Sequence, residues 1–149
     1  MRQTGPRILV SSDFRKPLFS LRLFLSLAND TELPVALADG TLLGWARLGA
    51  FLPDTTDIDM LVRERDLRPE WIHLVQQLAS PLRPSTMIGD EEHLELRFWM
   101  AGVQVDLFQA KAYGHGKPGF YYSGAQPNRL VHFDYPGLRD DFCKTHLLG

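Results

Sequence analysis

HLELRFWMAGVQVDLFQ, residues 93 to 109, alternates apolar and polar side chains on both sides of Ala101-Gly102. Period-two alternation flanking a small two-residue turn is the pattern of a β-hairpin. The expected register sets Met100 opposite Val103, Phe98 opposite Val105 and Leu96 opposite Leu107, which gathers these apolar side chains on one face. The other face carries Glu95, Arg97, Trp99, Gln104, Asp106 and Phe108, with Arg97 directly across from Asp106. A sheet built on this hairpin is covered on one side and open on the other.

A second strand fits the same scheme. In DIDMLVR, residues 57 to 63, Ile58, Met60 and Val62 share one face while Asp57 and Asp59 share the other. Helical spacing in LFSLRLFLSLAND, entered through Pro17, buries Leu18, Leu21, Phe24 or Leu25, and Ala28. VALA after Pro34 reads as a short strand, as does ILVS at residues 8 to 11. GTLLGWAR reads as a short helix with Leu42, Leu43 and Ala46 inward and Asp39 or Thr41 as its cap. Residues 66 to 80 have a helical pattern closed by Pro81 and Pro84. Beyond Tyr113 the chain is Gly- and Pro-rich, with a short VHF strand and a terminal helical segment, LRDDFCKTHLL. The expected fold class is α/β (α+β): a mixed β-sheet with helices packed on one face and an active site on the open face, forming a single domain over residues 1–149.

With 149 residues, 44% of them hydrophobic, the chain is long enough for one real core. Sixteen basic and eighteen acidic residues give a net charge of −2, so no overall field draws it to nucleic acid or an anionic membrane. One cysteine, Cys143, excludes an intramolecular disulfide and a thiolate zinc cage, which favours a reducing, cytoplasmic setting. The apolar stretch at residues 18 to 28 is broken by Arg22 and is too short to span a bilayer.

The carboxylates carry the chemistry. Asp57 and Asp59 leave one strand about 7 Å apart and can converge on one hard cation. Asp106 has the matching parity to complete a set of three. Clustered carboxylates repel one another unless a cation neutralises them, which points to Mg²⁺ or Mn²⁺. Such a set suits phosphoryl chemistry, where two ions roughly 4 Å apart activate the attacking oxygen and stabilise the leaving one. For the anionic donor, Gly40 and Thr41 at a helix start offer backbone N–H groups, and Arg47 offers a planar fork. Gly44 reads either as part of this turn or as a packing glycine. Lys117 in GHGKPG is a further candidate phosphate contact, set against a solvated turn. Arg97 is either a substrate contact or one half of a cross-strand ion pair that makes Asp106 structural. Tyr121, Tyr122 and Tyr135 suit base stacking or, as the simpler reading, an aromatic cluster.

The run DGTLLGWARLGAFLPDTTDIDMLV resembles the signature of the LicD/fukutin family of the nucleotidyltransferase-fold superfamily, carried by Gly40, Thr41, Leu42, Leu43, Gly44, Arg47, Phe51, Pro53, Asp57, Ile58 and Asp59. The resemblance implies a metal-dependent transferase that moves a phosphorylated alcohol, such as phosphocholine or ribitol phosphate, from a CDP-alcohol to a glycan or related hydroxyl acceptor. It implies that Asp57, Asp59 and Asp106 ligate the metal, and that the Gly40-Thr41 turn and Arg47 face the donor phosphates. Asp106 is the carboxylate expected to deprotonate the acceptor. Members commonly carry Trp-Asp-Asp where this chain has Asp54-Thr55-Thr56, which implies one acid fewer beside the metal. Two alternatives stand beside this reading. One is a small nucleotidyltransferase that takes an NTP and moves an NMP to a small molecule, protein or RNA. The other is a non-catalytic binding module on the same scaffold.

Overall fold

A computed structural model describes residues 14–77, 86–89, 94–114, 119–126 and 129–136. Helix α1, Arg15–Asp30, carries Pro17 in its first turn, where a missing N–H costs nothing. It buries Pro17, Ser20, Leu21, Phe24 and Ala28, one stripe at helical spacing. The Ser20 hydroxyl donates to the Met100 carbonyl at 2.8 Å, which fixes the helix against the hairpin strand. Strand β1, Val35–Leu37, leads into helix α2, Asp39–Leu48, and strand β2, Asp57–Arg63, follows.

A single 3-10 turn at Glu64–Asp66, in which Arg63 pairs with Asp66, separates β2 from helix α3, Pro69–Gln77. This helix begins three residues later than its apolar pattern suggests. Pro69 disfavours helical backbone at Arg68 and is itself at home in the first helical position. Strands β3, Thr86–Gly89, β4, Leu94–Met100, and β5, Val103–Ala112, complete the main sheet. Its order is β1-β2-β5-β4-β3, with β2 and β5 parallel and the other neighbours antiparallel.

The β4–β5 register is the one expected: Met100 with Val103, Phe98 with Val105, Leu96 with Leu107 and Arg97 with Asp106. Ala101 and Gly102 both take positive φ, 50° and 83°, as a twist-matched two-residue hairpin requires. The covered face packs Ile58, Met60, Val62, Leu96, Phe98 and Val105 against Leu21 and Phe24 of α1 and Trp71 and Val75 of α3. The expected mixed sheet with a helix-covered face is therefore present.

Three expectations need correction. Leu42, Leu43 and Ala46 do not face inward: the two leucines are 50% and 38% exposed and Ala46 is also exposed, while Thr41 and Gly44 are buried. A Cβ on Gly44 would lie 2.5 Å from the Ala50 carbonyl oxygen, so α2 meets the following loop too closely for a large side chain. The helix has no side-chain cap either: Ala38 is the N-cap, and Asp39 and Thr41 make other bonds. Finally, the Gly-rich segment after Tyr113 contains strand β6, Gly119–Gln126, which pairs with β7, Arg129–Pro136, around the anticipated VHF strand. β6 also joins the far end of β5 through Lys111 with Tyr121 and Ala112 with Phe120. Residues 8 to 11 and the terminal LRDDFCKTHLL lie outside the described residues.

The open face is not uniformly polar. Past the acids, Leu61, Phe108 and Ala110 form a second small core with Ala38 and Tyr122. Phe108 is thus buried on the face where alternation placed it.

Candidate functional site

Asp57, Asp59 and Asp106 come together. Alternation aims the first two to one side of β2, and the parallel ladder sets Asp59 beside Asp106 and Asp57 beside Gln104. One carboxylate oxygen from each lies within 4.8 Å of the others. An open cleft of about 180 Å³ adjoins them, lined by Gly40, Thr41, Leu52, Asp54, Thr55, Asp57 and Asp59.

The three acids have different neighbours. Asp106 is buried, accepts from Arg97 Nε at 2.8 Å and Nη2 at 3.4 Å, and accepts from Gln104 Nε2 at 2.9 Å. Arg97 Nη2 also donates to Glu95 Oε1 at 2.8 Å, and Glu95 is buried too. The hydrogen bond to Asp106, with the charges of Asp106 and Glu95, raises the Arg97 pKa against the opposing effect of partial burial. The alternatives posed by the sequence are therefore not exclusive: Asp106 pairs with Arg97 and still reaches the acid cluster.

Asp59 has no such partner in its pKa balance. Burial first, then the charges of Asp57, Asp39 and Asp106, push its carboxyl up to about 7, against a lowering hydrogen bond from the Gly40 backbone. Asp57 is also raised, by burial and by Asp106, with Arg97 and the Thr56 hydroxyl opposing. A set of hard oxygen donors that repel one another to this degree is what a divalent cation would relieve.

The turn at the start of α2 wraps Asp59. Ala38 N–H donates to the Asp59 carbonyl at 3.0 Å, and Asp59 N–H donates to Thr41 Oγ1 at 2.9 Å. Gly40 and Thr41 line the cleft as expected, and Gly40 lies beside Asp59, with room for a Cβ at 3.6 Å from Oδ2.

Other expected contacts fall elsewhere. Arg47 is exposed in the last turn of α2, about 12 Å of helix rise from Asp39, and is not among the residues lining the cleft. Gly44 packs against the backbone at residues 50–52, so its small size serves the fold. Arg97 faces Asp106 and Glu95. Lys117 lies outside the described residues. Asp39 and Tyr122 were not anticipated as site neighbours. The Tyr122 hydroxyl donates to Asp39 Oδ1 at 2.6 Å, and no local pattern signals a bond between residues 83 apart. Asp54 and Thr55, at the departure from the family signature, line the cleft.

A family model described as LicD/FKTN/FKRP, nucleotidyltransferase domain, matches residues 32–130. That span holds α2, the three acids, Arg97 and Tyr122. The chain is 26% identical over 144 residues to the uncharacterized protein T07A5.1 of Caenorhabditis elegans, covering 93% of this chain and 35% of that protein. It is 32% identical over 90 residues to the mouse (Mus musculus) ribitol-5-phosphate transferase FKTN, covering 59% of this chain and 19% of that protein. The chain thus matches about a third and a fifth of the lengths of these relatives.

Proposed function

Since the chain belongs to the LicD/FKTN/FKRP nucleotidyltransferase-domain family, we propose that it is a metal-dependent phosphotransferase that moves a phosphorylated alcohol from a CDP-activated donor to a hydroxyl acceptor such as a glycan. The observation that carries this reading is the convergence of Asp57, Asp59 and Asp106 within 4.8 Å at one edge of a cleft opened by Gly40 and Thr41. The mouse relative's name supplies the class of transferred group, a ribitol phosphate.

Asp57, Asp59 and Asp106 would hold Mg²⁺ or Mn²⁺, which, when bound, neutralises the donor diphosphate and polarises its phosphorus–oxygen bond. The chain's own residues do the rest. Arg97 and Gln104 fix Asp106, and Ala38 N–H and Thr41 Oγ1 fix the backbone of Asp59. Thr41, whose hydroxyl is engaged by Asp59 N–H, presents the first turn of α2 to the cleft, where backbone N–H groups suit an anionic donor. Asp106 is the carboxylate proposed to take the acceptor proton, and Arg97 and Gln104 hold it in place for that role.

The test is mass spectrometry of an oligosaccharide acceptor incubated with the protein, Mn²⁺ and either CDP-alcohols or NTPs. A gain of a phospho-alcohol is expected. A gain of a nucleotide selects the small nucleotidyltransferase reading instead. No transfer, together with no Mn²⁺ or cytidine-nucleotide binding at millimolar concentration in calorimetry, selects the non-catalytic module.

A further inference from the structure

Asp39 is in an unusual position for a side-chain-bearing residue. Its φ is 37°, in the left-handed region that costs most residues energy and that Asp and Asn tolerate best. Such a conformation persists where neighbouring contacts over-determine it. Here the contact comes from the other end of the fold. Tyr122 is 1% exposed, its ring centroid lies 5.3 Å from that of Phe108, and its hydroxyl donates to Asp39 Oδ1 at 2.6 Å.

The residues flanking Asp39 are the ones that grip Asp59. Ala38 N–H holds its carbonyl at 3.0 Å, Thr41 Oγ1 accepts its N–H at 2.9 Å, and Gly40 lies against its carboxylate, where an added Cβ would be 3.6 Å from Oδ2. Asp39 itself is not part of the cleft lining. Its bond to Tyr122 therefore acts on the three-point cradle around Asp59 and not on a ligand directly.

We infer that Tyr122, through Asp39, is a positioning residue for the Asp59 carboxylate. Among the described residues, strand β6 pairs with the main sheet through the end of β5, and the Tyr122–Asp39 bond gives it a further attachment, at the start of α2. The hairpin of β6 and β7 thereby becomes part of what shapes the acid cluster. The functional side of this inference rests on the reading of Asp59 as a cation ligand, whereas its structural side does not.

The test uses ¹⁵N-labelled protein and four variants, with two readouts. The first is the Gly40 amide signal in the metal-free protein, which reports the position of the Asp59 carboxylate beside it. The second is Mn²⁺ affinity by calorimetry. Tyr122→Phe keeps the buried ring and is expected to displace the Gly40 amide signal and weaken Mn²⁺ binding roughly tenfold, as loss of a ligand-orienting bond does. Asp39→Asn keeps an acceptor for Tyr122 and tolerates the positive φ, so the Gly40 signal should stay close to wild type, and Mn²⁺ binding should change by less than in Tyr122→Phe. Asp39→Ala should resemble Tyr122→Phe, with added backbone strain. The double variant Tyr122→Phe/Asp39→Ala should be no worse than Asp39→Ala alone, because both changes break one bond.

An unchanged Gly40 amide in Tyr122→Phe overturns the inference. So does a pattern in which Asp39→Asn is as damaging as Asp39→Ala while Tyr122→Phe is silent, since that assigns Asp39 a role through its charge. If the wild type binds no Mn²⁺, the proposed function fails, and the Gly40 amide still decides whether Tyr122 positions Asp59.

Discussion

Asp59 and Asp106 are direct partners in the parallel β2–β5 ladder, yet their surroundings are opposite. Asp106 is held by a guanidinium and an amide. Asp59 is held through its backbone by Thr41 Oγ1 and Ala38 N–H, and burial together with three neighbouring carboxylates lifts its carboxyl to about 7. Two identical side chains thus stand in different settings: one has its countercharge built in, and the other is crowded by like charge that the proposed cation would relieve. The difference arises from Arg97, which reaches Asp106 from β4, on the side of β5 away from Asp59.

Breaking the crowded half should have the largest effect. Asp59→Asn is expected to lower metal-dependent transfer by roughly 10³-fold, about 4 kcal/mol of transition-state stabilisation. The same change removes a crowded charge, so the metal-free protein should melt higher than wild type at pH 8. Turnover assays and thermal scans on the same samples check both. Full turnover in this variant would make the two acids equivalent and undo the contrast.

Breaking the paired half should cost stability first. Arg97→Gln leaves Asp106 and Glu95 buried without that countercharge. Loss of one partner of a fully buried pair costs roughly 3–5 kcal/mol, and the 32% exposure of the Arg97 side chain reduces the expectation to about 2 kcal/mol. Chemical denaturation measures it, and Arg97→Lys should recover part of the loss but not the two-pronged grip.

Acidity sharpens the contrast without a mutation. The folded pKa of Asp59 lies above its unfolded value, so the native state binds more protons between 3.8 and about 7. Its stabilising contribution is complete below the unfolded pKa and is lost as pH rises through about 7. Metal-free protein should therefore gain about 1 kcal/mol on going from pH 8 to pH 6, and Asp59→Asn should flatten that slope. Mn²⁺ competes with the proton, so its stabilising effect should grow over the same interval as pH rises. Thermal scans at pH 6, 7 and 8 with and without Mn²⁺ test the sign.

The smallest effect should come from the exposed side of the helix beside Asp59. Leu42→Gln and Leu43→Gln change exposed positions of α2 and should alter stability by no more than about 0.5 kcal/mol. A larger loss in denaturant would mean that these leucines are covered after all.

Strict alternation made the hairpin register, the shared face of Asp57 and Asp59, and the side on which Asp106 stands readable from the chain. The same logic failed on α2, because hydrophobicity marks the leucines as core while close approach of the backbone at Gly44 admits only small residues there. β6 was hidden because GFYYSGAQ lacks a period-two pattern and holds two glycines. Its pairing is set by Lys111, Ala112 and β7, which are tertiary facts. Asp39 looked like a cap, a local role, and its bond to Tyr122 crosses 83 residues. Local periodicity thus revealed which acids converge, while their individual chemistry depended on partners brought in from distant strands.

The turn at Ala101 and Gly102 has a further consequence. Its two positive φ values set the count of residues between Arg97 and Asp106, and side chains alternate faces one residue at a time. One extra residue that slipped β5 by a single position would send Asp106 to the helix-covered side and bring Val105 or Leu107 to the acids. This exposed bend, remote from any cleft, works as a spacer gauge: the length of a two-residue loop decides whether the protein has three converging carboxylates or two.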